Sequence, residues 1–166
     1  MIRFNIEIFR GYMLKEENFA GNIIINLASL PDFLRKPILK KRLTEFFSMS
    51  EHEKNEIIVN ALEAGPGIPF PNFSKLFKTW LEILATFNEF QRNEMFLRYF
   101  LATVRWPEKL IDFNLDGILE IFMSLSEKEK SVISKSIINI ISGLEPDKKR
   151  IVLTLIPDNA KVQIGV

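Results

Sequence analysis

A repeat of 38 residues is the feature that most restricts what this chain can fold into. Three stretches of the same shape begin at Leu43, Leu81 and Leu119, and they align without gaps. They read LTEFFSMSEHEKNEIIVNAL, LEILATFNEFQRNEMFLRYF and LEIFMSLSEKEKSVISKSII. Each copy is an apolar run of helical period, a short polar break and a second such run. This pattern predicts two helices, A and B, joined by a very short turn.

The polar break of each copy contains a helix-start signal. A Ser or Asn that can cap a helix is followed three residues later by Glu or Gln. The pairs are Ser50 with Glu53, Asn88 with Gln91, and Ser126 with Glu129. The first side chain can accept from backbone N–H groups of the first turn, and the second can accept from the N–H of the cap residue. The breaks are therefore predicted to be the starts of helices B.

Prolines mark the other boundary of each unit, because proline disfavours helix in the residue before it and fits a first helical turn. Pro31, Pro69 and Pro107 follow the same period, and Pro146 comes one residue later than the period requires. A single domain over 1–166 is expected. Its parts are an end unit at about 1–30, three units at about 31–64, 69–104 and 107–142, and a truncated end unit at 146–166.

The expected fold is all-α, with about eight helices in stacked antiparallel αα-hairpins, because neighbouring hairpins can share a continuous core. Over roughly residues 13–156 the pattern resembles the helical-hairpin arrays of the HEAT and armadillo type. The resemblance lies in the unit length and in the proline near the start of helix A. It implies a binding or scaffolding role. Either an open solenoid or a compact bundle would satisfy the pattern.

Several local expectations concern helix starts and the chain ends. Pro37 predicts that helix A of the first unit begins there, after a short turn from Asp32, and Asn114 or Asp112 is expected to cap helix A of the third unit. Residues 13–29 are expected to be helical. Residues 2–9 alternate apolar and polar side chains, which favours a strand or extended arm over the end of a degenerate helix A. The same alternation predicts an extended C-terminal arm, through Val162, Ile164 and Val166.

Composition argues against several classes of function. The chain has 47% hydrophobic and 26% charged residues, no cysteine and a formal net charge of +1, so it has no bulk electrostatic attraction for nucleic acid. His52 is the only histidine, which excludes an ordinary zinc site, and no nucleophile–base motif is present. We therefore expect no enzyme activity and no cofactor. With neither a signal peptide nor an 18-residue apolar run, the expected location is the cytoplasm, without a membrane span.

Two groups of basic residues are candidate binding residues. Lys54, Arg92 and Lys130 are equivalent positions near the starts of helices B, and stacking would align them as a column for phosphates or acidic side chains. The alternative is solvated charge beside neighbouring glutamates. Lys36, Lys40 and Lys41, followed by Arg42, form the densest basic cluster. This cluster is either a surface for a partner or anionic lipid, or simply a solvated helix face.

The second unit concentrates aromatic side chains, which either form a groove for a partner helix or pack into the core. The functional expectation is a non-enzymatic protein-interaction or scaffolding module, with another protein or a second copy of the chain as partner. The alternative is a nucleic-acid-associated protein that uses the basic face of the first unit. Nucleic acid is the weaker alternative because acidic residues interrupt the basic ones.

Overall fold

The computed structural model describes residues 19–166, and these residues form nine α-helices and two short 3₁₀ helices, with no strand among them. The all-α prediction is confirmed for this part of the chain. The helices are α1 (Phe19–Ser29), α2 (Asp32–Phe46), α3 (Glu51–Ala64), α4 (Phe70–Thr86), α5 (Glu89–Arg105), α6 (Leu115–Met123), α7 (Glu127–Gly143), α8 (Pro146–Leu155) and α9 (Asp158–Ile164). The 3₁₀ helices are Gly65–Gly67 and Pro107–Leu110. The predicted extended arm at residues 2–9, and residues 13–18 of the predicted first helix, lie outside the described residues.

The predicted caps of helices B are formed. The hydroxyl of Ser50 accepts from the backbone N–H of Glu53 at 3.3 Å, and the Glu53 carboxylate accepts from the N–H of Ser50 at 2.8 Å. Ser126 and Glu129 make the same reciprocal pair. Asn88 caps α5 through its side-chain oxygen. Each cap satisfies N–H groups that a helix start leaves without partners, so α3, α5 and α7 begin where the local sequence predicts.

Helix starts recur at half of the 38-residue period. The cap residues Pro31, Ser50, Pro69 and Asn88 precede α2 to α5, and each lies 19 residues after the previous one. At Pro107, where the next start would fall, the chain forms a 3₁₀ helix instead. Helix α6 begins later and is capped by Asn114, one of the two predicted caps, through a bond from the N–H of Gly117. Four consecutive helix starts therefore share a spacing of 19 residues.

Helices that are two apart in the chain lie side by side. Helices α1, α3, α5 and α7 form one row, and α2, α4 and α6 form a second row. Helix α4 also contacts α1 and α7 across the two rows, while α8 packs on α5 and α9 on α7. The two helices within one repeat approach each other less closely than these pairs do. Helices from different sequence repeats thus make the more extensive close backbone contacts, and both the stacked-hairpin array and its likeness to HEAT and armadillo arrays stay predictions.

The predicted start of α2 is wrong. The helix begins at Asp32 and continues through Pro37, which lies in its interior. The buried side chain of Arg35 explains the earlier start. Its guanidinium bonds the Asp32 carboxylate and donates to the Leu30 carbonyl at 2.6 Å, which fixes the first turn of the helix.

The predicted extended C-terminal arm is also wrong, because residues 158–164 form α9. Pro157 precedes the helix, and Lys161 pairs with Asp158 of the first turn at 2.8 Å. Gly165 ends the helix with a φ of +92°, a left-handed conformation that glycine adopts without strain. Ile164 packs against the core, so its apolar character serves a helix rather than an alternating strand.

Candidate functional site

The structure places two of the three predicted column residues in the interior. Lys54 and Arg92 are only 6% and 7% exposed, whereas Lys130 keeps more of its surface. Lys54 donates from Nζ to Glu94 at 2.8 Å, and Lys130 pairs with Glu127 at 2.6 Å. Lys54 and Arg92 are therefore occupied by contacts within the fold. The binding role of all three residues stays a prediction. It has no support from an exposed basic column, because two of the three residues are buried.

Lys54 belongs to a charged cluster between α3 and α5. Arg98 donates to both carboxylate oxygens of Glu51 at 2.8 Å and to Glu94 at 2.9 Å. Although burial alone would raise the pKa of Glu94, the bonds from Lys54 and Arg98 outweigh it and hold that pKa below its usual range. The cluster joins neighbouring helices of one row, which indicates a structural role.

The basic cluster of α2 is exposed, as the sequence suggests. Lys36, Lys40 and Lys41 all lie on the surface of the helix. Lys36 lies 3.6 Å from Glu82, and Lys41 lies 4.0 Å from Glu45. Because these carboxylates interrupt the positive surface, the nucleic-acid alternative gains no support from it and stays a prediction.

Most aromatic rings of α4 and α5 point inward. Phe73 stacks on Phe77 at 5.5 Å between ring centroids, and Phe77 stacks on Trp80 at 5.4 Å. Trp80 and Tyr99 are then nearly perpendicular, with 5.4 Å between ring centroids. Rings at this spacing pack favourably. They form one side of the core, and the exceptions on these two helices are Phe90, which is 77% exposed, and Phe70, which is 36% exposed.

A large apolar cavity lies within the array of helices. Its volume is about 610 Å³, and every one of the nine described helices contributes to its lining. Trp80 and Tyr99 lie in the wall, and Arg42 is the one charged residue among the lining residues of the described chain. The cavity is partly open to solvent and its lining is almost wholly apolar, so it is suited to an apolar ligand.

An exposed apolar stripe runs along α5. We call Phe90, Leu97 and Leu101 the α5 stripe; their spacing of seven and four residues places them on one helix face. In the described helices α3 and α7, which flank α5 in its row, no exposed position carries a large apolar side chain. The packing of helices in this row therefore does not require exposed apolar residues such as those of the α5 stripe.

The α5 stripe could have been found from the sequence by comparing the repeat copies position by position. Its residues correspond to polar ones in the other copies, with Val59 as the exception. Phe90 aligns with His52 and Lys128, Leu97 with Val59 and Lys135, and Leu101 with Glu63 and Asn139. Comparing only the positions that keep their apolar character, as in the repeat alignment above, hides this difference.

Comparisons with protein-family models, with curated proteins and with solved structures find no match to this chain. Among residues 19–166 no helix is both long and apolar enough to cross a membrane. Within the same residues no three His, Cys, Asp or Glu side chains are grouped as a metal site would require. The α5 stripe and the apolar cavity are the two features on which the proposals below rest, although α2 also exposes the apolar residues Phe33, Leu34 and Ile38.

Proposed function

We propose that this chain is a non-enzymatic protein-interaction module that binds an amphipathic helix of a partner protein on the α5 stripe. The observation that carries the proposal is the exposure of large apolar residues on α5, where the flanking repeats have polar ones. Phe90 alone is 77% exposed. Exposed apolar residues that lie together on one face are typical of surfaces that another molecule covers.

The size of the α5 stripe fits a modest affinity. Fully burying an exposed side chain of this size contributes about 1.5–3 kcal/mol, and Leu97 and Leu101, which are 37% and 39% exposed, contribute only part of that value. Ordering and lost freedom of movement offset part of this gain, so the α5 stripe alone supports weak binding. A helix that presents apolar residues at intervals of three, four and seven matches the spacing of Phe90, Leu97 and Leu101.

Charges at the two ends of α5 favour one direction for the partner helix. Glu89 is exposed at the first residue of α5, and Arg105 is exposed at its last residue. A partner with a basic residue near Glu89 and an acidic residue near Arg105 would satisfy both charges. Such pairs at the rim of an interface contribute more to orientation than to affinity.

The experiment compares partner capture by matched variants. The wild type, Phe90→Ser, Leu97→Ser and Phe33→Ser are used as bait in lysate of the source organism, with nuclease present, and the bound proteins are identified by mass spectrometry. Phe33 is 76% exposed on α2, so Phe33→Ser removes an equally exposed ring from the other row. A partner retained by Phe33→Ser and lost with both α5 variants supports the proposal. The purified partner must then show the same selectivity in titration with each variant.

Two outcomes would contradict the proposal. If every bait recovers the same proteins in the same amounts, the α5 stripe is not the binding surface. If the purified chain sediments as a dimer that Leu97→Ser converts to monomer, the partner is a second copy of the chain. In that case the interaction is self-assembly rather than recognition of another protein.

A further inference from the structure

We infer that the apolar cavity binds the hydrocarbon tail of a long-chain carboxylic acid, with the carboxylate held at the cavity edge by Arg42. This site is independent of the α5 stripe. The lining extends from Ala20 in α1 to Ile164 in α9, so the cavity follows the array of helices rather than one hairpin. Its volume of about 610 Å³ falls within the usual range for small-molecule sites. An extended, almost wholly apolar space of this size suits one alkyl chain.

The charge in the lining identifies the head group. Arg42 is the single charged residue among the lining residues of the described chain, and its side chain is 56% exposed. It therefore lies where the cavity meets solvent. A guanidinium binds a carboxylate through two parallel hydrogen bonds, so a tail inside the cavity and an acid group at Arg42 satisfy both parts of the site.

A neighbouring glutamate favours a singly charged head group. Glu45 lies 3.2 Å from Arg42 and shares its guanidinium. An incoming carboxylate competes with one negative charge, whereas a doubly charged phosphate would meet stronger repulsion at the same place. The chemistry of the edge thus points to a fatty-acid anion rather than a phosphate monoester.

The fluorescence of the two tryptophans of the chain reports binding of the ligand. Trp80 lies in the cavity wall, whereas Trp106 is not in the lining and has the guanidinium of Arg105 over its ring at 4.6 Å. In Trp106→Phe the only indole is therefore Trp80. A stearic acid brominated at mid-chain quenches indole fluorescence on contact. It should quench Trp80 in Trp106→Phe with saturation at one molecule per chain, and unlabelled stearic acid should reverse the effect.

Trp80→Phe supplies the opposite control, because its remaining indole, Trp106, is not among the residues that line the cavity. Quenching of equal size in Trp80→Phe would mean adsorption to the surface and would overturn the proposal. Absence of saturable quenching in Trp106→Phe would overturn it as well. Trp106→Phe carries the test by itself if Trp80→Phe fails to fold, since competition by stearic acid distinguishes a site from adsorption.

The role of Arg42 is tested against its neighbour Lys41. Both side chains lie within ion-pair distance of Glu45, but only Arg42 lines the cavity. In the Trp106→Phe background, Arg42→Gln should weaken binding of the brominated acid about tenfold, the effect of a charge-assisted hydrogen bond. Binding of the corresponding brominated alcohol should not change, and Lys41→Gln should affect neither ligand. Equal losses for acid and alcohol, or equal losses in the two variants, would refute the assignment of Arg42.

Discussion

Arg92 donates a hydrogen bond from Nε to the hydroxyl oxygen of Ser136 over 2.7 Å, and this bond joins α5 to α7 in the interior. The same guanidinium donates to the backbone carbonyl of Phe87 at 2.7 Å. Burial lowers the pKa of Arg92, so these bonds partly compensate a charge that has lost its water. Arg92 is therefore a connector between two repeats.

Replacing the acceptor tests this connection. Ser136→Ala should lower the free energy of unfolding by about 1–3 kcal/mol, because Arg92 Nε would lose its partner in the interior. Urea unfolding measures the effect. Ser131→Ala is the matched control, since Ser131 is exposed on the same helix, and it should change the free energy by less than about 0.5 kcal/mol. Equal effects of the two substitutions would show that the bond contributes nothing.

A second arginine makes the same connection one and a half repeats earlier. Arg35 donates from Nε to Thr79 Oγ1 at 3.3 Å, and, as for Arg92 and Ser136, the two residues are 44 positions apart. Both arginines are the fourth residue after a helix cap. The 38-residue alignment groups Arg92 with Lys54 instead, because it compares helices B only with each other. When the sequence is compared at a spacing of 19 residues, Arg35 becomes equivalent to Lys54 and Arg92.

Local chemistry predicted the starts of helices B well. Ser50, Asn88 and Ser126 cap their helices because their signals lie within three residues and need no distant partner. The burial of Arg92 was not predictable in this way, because its acceptors come from α7 and from the preceding turn. The cavity could not be predicted from the sequence either, because its volume depends on the separation of the two rows of helices. Periodicity gives the face of each helix but not that separation.

At Pro37, tertiary contacts outweigh the local rule that proline is unfavourable inside a helix. It lies inside α2, where it has no N–H to donate to the carbonyl of Phe33. Pro37→Ala should therefore raise the free energy of unfolding by about 1–3 kcal/mol. Pro31→Ala is the control, because Pro31 is the cap residue of α2 and its nitrogen makes no helical bond. If Pro37→Ala brings no gain, the proline ring must contribute packing of similar size.

The cluster around Glu94 should make stability depend on acidity. Lys54 and Arg98 hold the pKa of Glu94 below its ordinary value of 4.5, against the opposing effect of burial. Because the folded-state pKa is lowered, this contribution is present above pH 4.5 and is lost as the pH falls through the folded-state value. Glu94→Gln should thus cost about 1.5–3 kcal/mol at pH 7.

The measurement is urea unfolding of the wild type and Glu94→Gln over a series of pH values. The difference between the two proteins should be largest at neutral pH and should shrink once the Glu94 carboxylate is protonated. Glu56→Gln is the control, since Glu56 is exposed on α3 and makes none of the ion pairs found among the described residues. A difference that stays constant with pH would mean that shape rather than charge accounts for the loss.

The contribution of Tyr99 to stability should depend on pH in the opposite direction. Burial raises its pKa above the ordinary value of 10.0, and its hydroxyl makes no hydrogen bond with the described residues. Above pH 10 the unfolded chain therefore loses this proton while the folded chain keeps it, so stability falls as the pH rises.

The chain has two tyrosines, and Tyr12→Phe leaves Tyr99 as the only one, so tyrosinate absorbance in that variant reports it alone. That absorbance should develop only together with unfolding, and Tyr99→Phe should reduce the alkaline loss of stability. Ionisation of Tyr99 near pH 10 in a chain that remains helical by circular dichroism would show instead that water reaches the hydroxyl, and that the cavity wall around Trp80 and Tyr99 is open to solvent.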